Sequence, residues 1–266
     1  MIAHRAAQTQ DLALPGLSRL GGRVLLFESI GSTNAELLAR ATDLPDGAIA
    51  WAETQTAGRG RLGRRWIAAK GSSILLSILL HEPDRSSLIR HGSLLACLAA
   101  AEAIEEATDC RPRIRWPNDL TLAGRKLAGV LVESTPLAEG RRALVIGVGI
   151  NCLQHRGHFT DGLELSATSL EIESPSPVDR IAVAAALVRR LDFHLAPARH
   201  TEAALDAARS AWRERCADPG EWVRLTHDGR AFEGLVLDVD REGNLLVQLS
   251  TGARASFEAA TTTRHW

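Results

Sequence analysis

The apolar pattern of this 266-residue chain changes character once, at Pro219-Gly220. Upstream, short apolar runs alternate with helical segments. Downstream, over 221–266, strand-like runs are separated by Asp228-Gly229, Glu242-Gly243-Asn244 and Thr251-Gly252, turn formers at the close spacing of a small antiparallel barrel. The change predicts two units, 1–218 and 219–266. In the larger, Arg23 to Glu28, Ala48 to Glu53, Ser73 to Leu80 and Ala143 to Asn151 read as strands. Leu120 to Leu122 and Lys126 to Glu133 flank Ala123-Gly124-Arg125 and read as a hairpin. Ser86 to Ala107 is rich in Ala and Leu and free of Gly and Pro after Gly92, which specifies a buried helix. Val178 to His194 and Thr201 to Arg213 predict two more, and the T-x-x-E spacing of Thr33 to Glu36 predicts a capping box opening a helix through Ala41. The fold class expected is α+β, a mixed β-sheet with helices followed by the small barrel.

Charge narrows the function. With 31 Lys and Arg against 32 Asp and Glu, the net charge is −1, so no global positive field draws nucleic acid or anionic membrane, and any anion site is local. The cysteines Cys97, Cys110, Cys152 and Cys216 form no C-x-x-C pair, the usage of reduced thiols in a cytoplasm. The N-terminal MIAHRAAQTQDLALPG lacks the continuous apolar stretch of a secretory signal, and the runs Ile74 to Leu80 and Leu94 to Ile104 are shorter than the ~20 residues of a membrane span. A cytoplasmic protein without a membrane partner is expected.

Four segments carry candidate chemistry. Gln55 to Trp66, QTAGRGRLGRRW, sets Arg59, Arg61, Arg64 and Arg65 among Gly58, Gly60 and Gly63. Such glycines let backbone N–H groups approach an anion, and guanidinium forks hold phosphate or carboxylate oxygens in pairs. A solvated basic loop, or one touching RNA backbone, has the same composition. GRGRLG matches G-x-G-x-x-G, yet the segment is neither a dinucleotide-binding turn nor a Walker loop. In Arg115 to Val130, RWPNDLTLAGRKLAGV, Pro117 breaks a strand and presents Asn118 and Asp119 opposite Lys126. That pair suits a reacting phosphate and Mg²⁺, or equally a surface ion pair. Ser32-Thr33-Asn34 at a helix start and Gly147-Val148-Gly149-Ile150-Asn151 at a strand end are each explained by capping and close packing. Cys152-Leu153-Gln154-His155-Arg156-Gly157-His158 has a C-x-x-H-x-x-H spacing, but a fourth zinc ligand is not apparent.

Together, ESIGSTN, ETQTAGRGRLGRRW, RWPNDL with GRKLAGVLVE, and IGVGIN, in this order, resemble the motifs of the biotin protein ligase family over residues 23–266. The form resembled is the one without an N-terminal DNA-binding domain, since about 22 residues precede the first expected strand. The resemblance implies a catalytic domain like those of class II aminoacyl-tRNA synthetases and biotin and lipoate ligases, then an SH3-like barrel. It implies ATP-dependent activation of biotin to biotinyl-5'-AMP, with Mg²⁺, and transfer to a lysine of a biotin carboxyl carrier protein or domain; it admits a homodimer and gives DNA no part. Ser32, Thr33, Asn34 and Gln55 are then expected to line the biotin pocket, with Gly58, Arg59, Gly60 and Arg61 wrapping the biotin carboxylate and AMP phosphate. Trp66 would shield the site. Asn118, Lys126 and Gly129 would meet the ligand, and Gly147, Gly149 and Asn151 would floor the site. Lys126, Asp119 and Arg61 are the expected catalytic residues, with no dedicated protein metal site. Some relatives place an aromatic residue for adenine just before the segment matching Thr168-Ser169-Leu170, where this chain has Ala167.

Two other readings compete. A lipoate or octanoate ligase or transferase shares the fold, but the arginine loop is the biotin pattern, and adenylation of biotin against lipoate separates the two. A non-catalytic nucleic-acid-binding regulator would use the basic loop and barrel, and salt-dependent duplex binding without biotin turnover would mark it.

Overall fold

The structure, a computed structural model, describes residues 8–10, 16–160 and 162–265. The expected absence of a secretory signal falls largely on residues outside that range. The larger sheet holds β1 (Gln8–Gln10), β2 (Val24–Phe27), β3 (Ile49–Ala52), β4 (Ser73–Pro83), β5 (Arg113–Arg115), β6 (Asp119–Leu122), β7 (Arg125–Pro136) and β8 (Arg141–Asn151). Their order is β1-β2-β3-β4-β8-β7-β6-β5. Only β2 and β3 run parallel, so the sheet is mixed. The helices are α1 (Thr33–Ala39), α2 (Leu88–Ala107), α3 (Leu170–Glu173), α4 (Arg180–Leu195) and α5 (Glu202–Arg215).

Side chains alternate across the sheet because strand residues point to opposite faces. Ile74, Leu76, Ile78 and Leu80 of β4, with Leu144, Ile146, Val148 and Ile150 of β8, join α2 and α4 in the main core. Leu75, Leu79, Ala143 and Val145 face the other way and pack with Leu37 of α1. The next positions on that second face are Ser77, Gly147 and Gly149. They are too small to fill it, so the sheet is left hollow beside the start of α1.

Two expectations need correction. Helix α1 is capped by Ser32, not Thr33: Ser32 has extended backbone and its Oγ accepts from the Ala35 N–H at 3.4 Å. The shift leaves Thr33 inside the first turn with its polar groups turned to a strand loop, and Glu36 pairs with Arg40 rather than closing a box. The apolar run in α2 is also longer than the sequence suggested. Ser87–Ala107 is long and apolar enough to cross a membrane by length and composition, but 67% of its apolar 18-residue window is buried, as in a core helix.

The smaller sheet is antiparallel, with β9 (Trp222–His227), β10 (Arg230–Val239), β11 (Leu245–Leu249), β12 (Arg254–Phe257) and β13 (Thr262–Arg264) in the order β12-β11-β10-β9-β13. Val223, Leu225, Val236 and Phe257 extend the main core. Its attachment centres on the β5–β6 corner. The Trp116 indole N–H donates to the Gly243 carbonyl at 2.8 Å, and the buried Asp218 carboxylate accepts from the Trp116 backbone N–H at 2.6 Å and pairs with Arg264.

Candidate active site

The hollow beside α1 opens into a cavity of about 280 Å³ that runs from the α1 N-terminus to β13. At its polar end the Gln55 carbonyl Oε1 accepts from the Thr33 backbone N–H at 2.8 Å and from its hydroxyl at 3.1 Å. Gln55 therefore keeps its amide N–H groups for other partners. Ser77, buried on β4, sets its hydroxyl 2.6 Å from Asn34 Oδ1 and 2.7 Å from Thr33 Oγ1. Asn34 occupies the space over Gly147, where a Cβ would fall 2.1 Å from its Oδ1. Only glycine fits there.

Farther along, Trp66 covers two facing glycines. Gly129 and Gly149 are paired across β7 and β8, and Cβ atoms on them would lie 3.2 and 2.7 Å from the indole ring. The buried Trp66 Nε1 has no hydrogen-bond partner among the described residues, so an acceptor from a ligand would satisfy it. Lys126 Nζ stands 2.6 Å from Asp119 Oδ1 and 5.8 Å from the Trp66 ring centroid. Ala123 and Gly124, both at positive φ, turn the hairpin that brings these two charges together. Asn118 is fixed by donating to the Val130 carbonyl at 2.6 Å.

The arginine loop lies over this floor. Trp66 N–H donates to the Gly58 carbonyl at 3.0 Å and Gly60 N–H to the Arg64 carbonyl at 2.7 Å. The Arg61 guanidinium donates to Asn118 Oδ1 at 3.3 Å and to the Ala259 and Thr262 carbonyls, so it bridges the hairpin and the smaller sheet. Burial lowers its pKa, with Asp119 opposing and Arg64 adding to that effect. Arg59 reaches instead to Glu133 Oε2 at 2.9 Å. Arg64 and Arg65 are exposed.

Of the residues expected at the site, Ser32, Thr33, Asn34, Gln55, Arg59, Gly60, Arg61, Trp66, Asn118, Asp119, Lys126, Gly129, Gly147, Gly149 and Asn151 all border the cavity. Gly58 does not; it borders a neighbouring surface hollow, and a Cβ there would meet the Trp66 carbonyl at 2.5 Å, so its smallness serves loop closure. The sequence reading missed Ser77, Arg115 and Arg264. Burial pulls the Arg115 pKa down to about 10, and repulsion from Arg264 adds to it. Arg115 was visible as the first residue of RWPND. Arg264 sits in a short strand with no motif, and only the docking of the two sheets brings it to the cavity. Phe159 and Leu163 wall the stretch beside Ala167.

The zinc spacing at Cys152 forms no cluster. The His155 and His158 rings stack on each other at 5.6 Å, and burial pushes the Cys152 thiol up to about 12. Among the described residues, no three His, Cys, Asp or Glu side chains converge on a metal position.

The cavity thus combines a small polar end, an indole-covered glycine floor and an end carrying Lys126, Arg61, Arg115 and Arg264 around Asp119, the lone lining carboxylate among the described residues. Such a site suits an elongated ligand with a polar head and a multiply anionic tail. Comparison with known proteins points the same way. Residues 26–151 match the biotin/lipoate A/B protein ligase family, and 220–261 match the biotin protein ligase C-terminal domain. The chain is similar to the biotin–(acetyl-CoA-carboxylase) ligase of Mycobacterium tuberculosis (strain ATCC 25618 / H37Rv), at 34% identity covering 86% of this chain and 84% of that one. The Paracoccus denitrificans protein of the same name is 33% identical, covering 83% and 92%. The bifunctional ligase/repressor BirA of Escherichia coli (strain K12) is 32% identical, covering 86% and 70%. In fold it is similar to a biotin protein ligase from Aquifex aeolicus in complex with biotin and ATP, with TM-score 0.77 and 24% identity, covering 91% of this chain and 98% of that one. With such identity to these relatives over most of both chains, and with the four motifs gathered round one cavity, the chain belongs to the biotin protein ligase family.

Proposed function

We propose that this enzyme condenses biotin with ATP to biotinyl-5'-AMP and then transfers biotin to a lysine of a biotin carboxyl carrier protein or domain. The observation that carries the reading is the single cavity joining the Gln55 end to the cationic end through Gly129, Gly149 and Trp66. Thr33 and Gln55 hold the polar head of biotin, and its chain runs past the indole that rests on the glycine floor. A carboxylate is already a nucleophile toward the α-phosphate, so the protein's task is alignment and charge neutralisation. Lys126 and Arg61 perform it at the reacting oxygens, with Arg115 and Arg264 toward the rest of the triphosphate.

Mg²⁺, when bound with the nucleotide, would neutralise phosphate charge, and among the described residues Asp119 is the lining carboxylate that would help hold it. In the second half-reaction, Asp119 accepts or orients the proton of the incoming lysine amine, which attacks the carbonyl as AMP leaves. Residues 1–218 form the biotin and ATP domain and 219–266 an appended domain that completes the triphosphate end. The enzyme works in the cytoplasm, as a monomer or homodimer. Its macromolecular partner is the acceptor, and neither DNA nor a membrane takes part.

The reading is tested by quenching the enzyme with MgATP and either biotin or lipoate and analysing the acyl adenylates. Biotinyl-5'-AMP is expected. Lipoyl-AMP in its place would reassign the substrate.

A further inference from the structure

We infer that Asn34 and Glu133 form a positioning tether that fixes the arginine loop to the biotin end of the cavity, an inference that rests on the biotin reading above. Asn34 is placed by motif among the ligand contacts, yet its hydrogen-bonding groups are committed to the protein. Its amide nitrogen donates to the Leu131 carbonyl at 3.2 Å and to Glu133 Oε2 at 2.9 Å, while Oδ1 lies 2.6 Å from the Ser77 hydroxyl. Reversing the amide would set Oδ1 against a carbonyl and a carboxylate, so the acceptors on that side fix its orientation. Neither amide proton is left for a ligand.

The same Glu133 oxygen accepts from Arg59 Nη2 at 2.9 Å. A continuous path thus runs from Ser77 on β4, through Asn34 at the start of α1 and Glu133 on β7, to Arg59 in the loop. Gly147 makes the path possible, because any side chain there would displace Asn34. Glu133 carries no motif signal of its own. Its Oε2 accepts both an ion-paired hydrogen bond from the loop and a charge-assisted hydrogen bond from the Asn34 amide of the pocket wall, so loop position and pocket shape depend on one carboxylate.

The test needs no ligand in its first arm. Trypsin cuts after arginine, and Arg59, Arg61, Arg64 and Arg65 all lie in the loop. In the full chain, Glu133→Gln retains an acceptor for Asn34 but removes the charge facing Arg59, and loop cleavage should accelerate about fivefold, the scale of one partly exposed ion pair. Arg59→Gln, at a half-exposed position that does not threaten folding, should accelerate cleavage after Arg61, Arg64 and Arg65 equally. Adding Glu133→Gln to it should have no further effect. In the second arm, calorimetric titration with biotin should give a Kd raised about fivefold in Glu133→Gln, with the KM for ATP unchanged. Wild-type cleavage and wild-type biotin affinity in both single variants would overturn the tether. Failure of the wild type itself to bind biotin would instead overturn the substrate reading, while the cleavage arm would still decide the tether.

Discussion

Three atoms of the Trp66 indole lie where a Cβ on Gly149 would come within 2.7, 2.8 and 3.1 Å of them. The ring therefore rests on bare backbone, and the glycine defines the depth of the cavity floor. Gly149→Ala must lift the indole or move β8. Overpacking of this kind costs about 1–3 kcal/mol, and the lifted ring occupies the space assigned to the biotin chain. Calorimetry should show weakened biotin binding with a modest fall in melting temperature; unchanged affinity would place the ligand elsewhere.

Lys126→Ala should leave the fold intact, since Lys126 is only half-buried, and reduce biotin-dependent pyrophosphate release by about 100- to 1000-fold, the cost of losing one electrostatic stabiliser of a reacting centre. The 2.6 Å ion pair with Asp119 makes the loss sharper, because the carboxylate then stands uncompensated beside the phosphates. Wild-type pyrophosphate release by a folded variant would contradict this role.

Arg61 contacts Asn118 on one side and the Ala259 and Thr262 carbonyls on the other. Arg61→Gly should remove an anion contact and loosen the loop from the smaller sheet together. A charge-assisted bond of about 1.5–3 kcal/mol corresponds to about a ten- to hundredfold weaker hold on the adenylate. Adenylate would still form with Lys126 present and would leak. Biotin should then appear on serum albumin added to the reaction, above the wild-type level. Equal bystander labelling and equally tight adenylate binding would show that the clamp lies elsewhere in the loop.

Acid stability should depend on Asp192. Burial raises its pKa, but the backbone N–H groups of Ser18, Leu20 and Arg19 and the Ser18 hydroxyl donate to the carboxylate, and the net shift is downward. A depressed folded-state pKa gives stability that is present above the unfolded value, near 4, and lost as pH falls through the folded one. Asp192→Asn should therefore be less stable at pH 7, and its deficit should shrink as pH falls below the ordinary carboxylate range. A stability difference that stays constant with pH would contradict the assignment.

How much of this was legible in the sequence depends on distance along the chain. The Ala-rich helix, the hairpin at Ala123-Gly124 and the change from alternating strands and helices to closely spaced strands after Pro219-Gly220 are local patterns, and each is found in the structure. The ion pair of Asp119 and Lys126 spans one hairpin, so spacing alone placed the two face to face. Thr33 was misread as a cap because Ser32, equally able to cap, precedes it; only the Gln55 contact, 22 residues away, decides between them. Ser77 looks like any small residue in a buried strand, and its role arises from α1 crossing that face. Arg264 and Asp218 meet across 46 residues through the docking of two sheets, which no periodicity encodes.

The central claim is tested most directly by incubating the full chain with biotin, MgATP and a biotin carboxyl carrier domain and measuring the acceptor's intact mass. A gain of one biotin on a single lysine is expected, dependent on ATP and slowed about 100- to 1000-fold by Lys126→Ala. An acceptor of unchanged mass, under conditions where an established biotin protein ligase labels it fully, would contradict it.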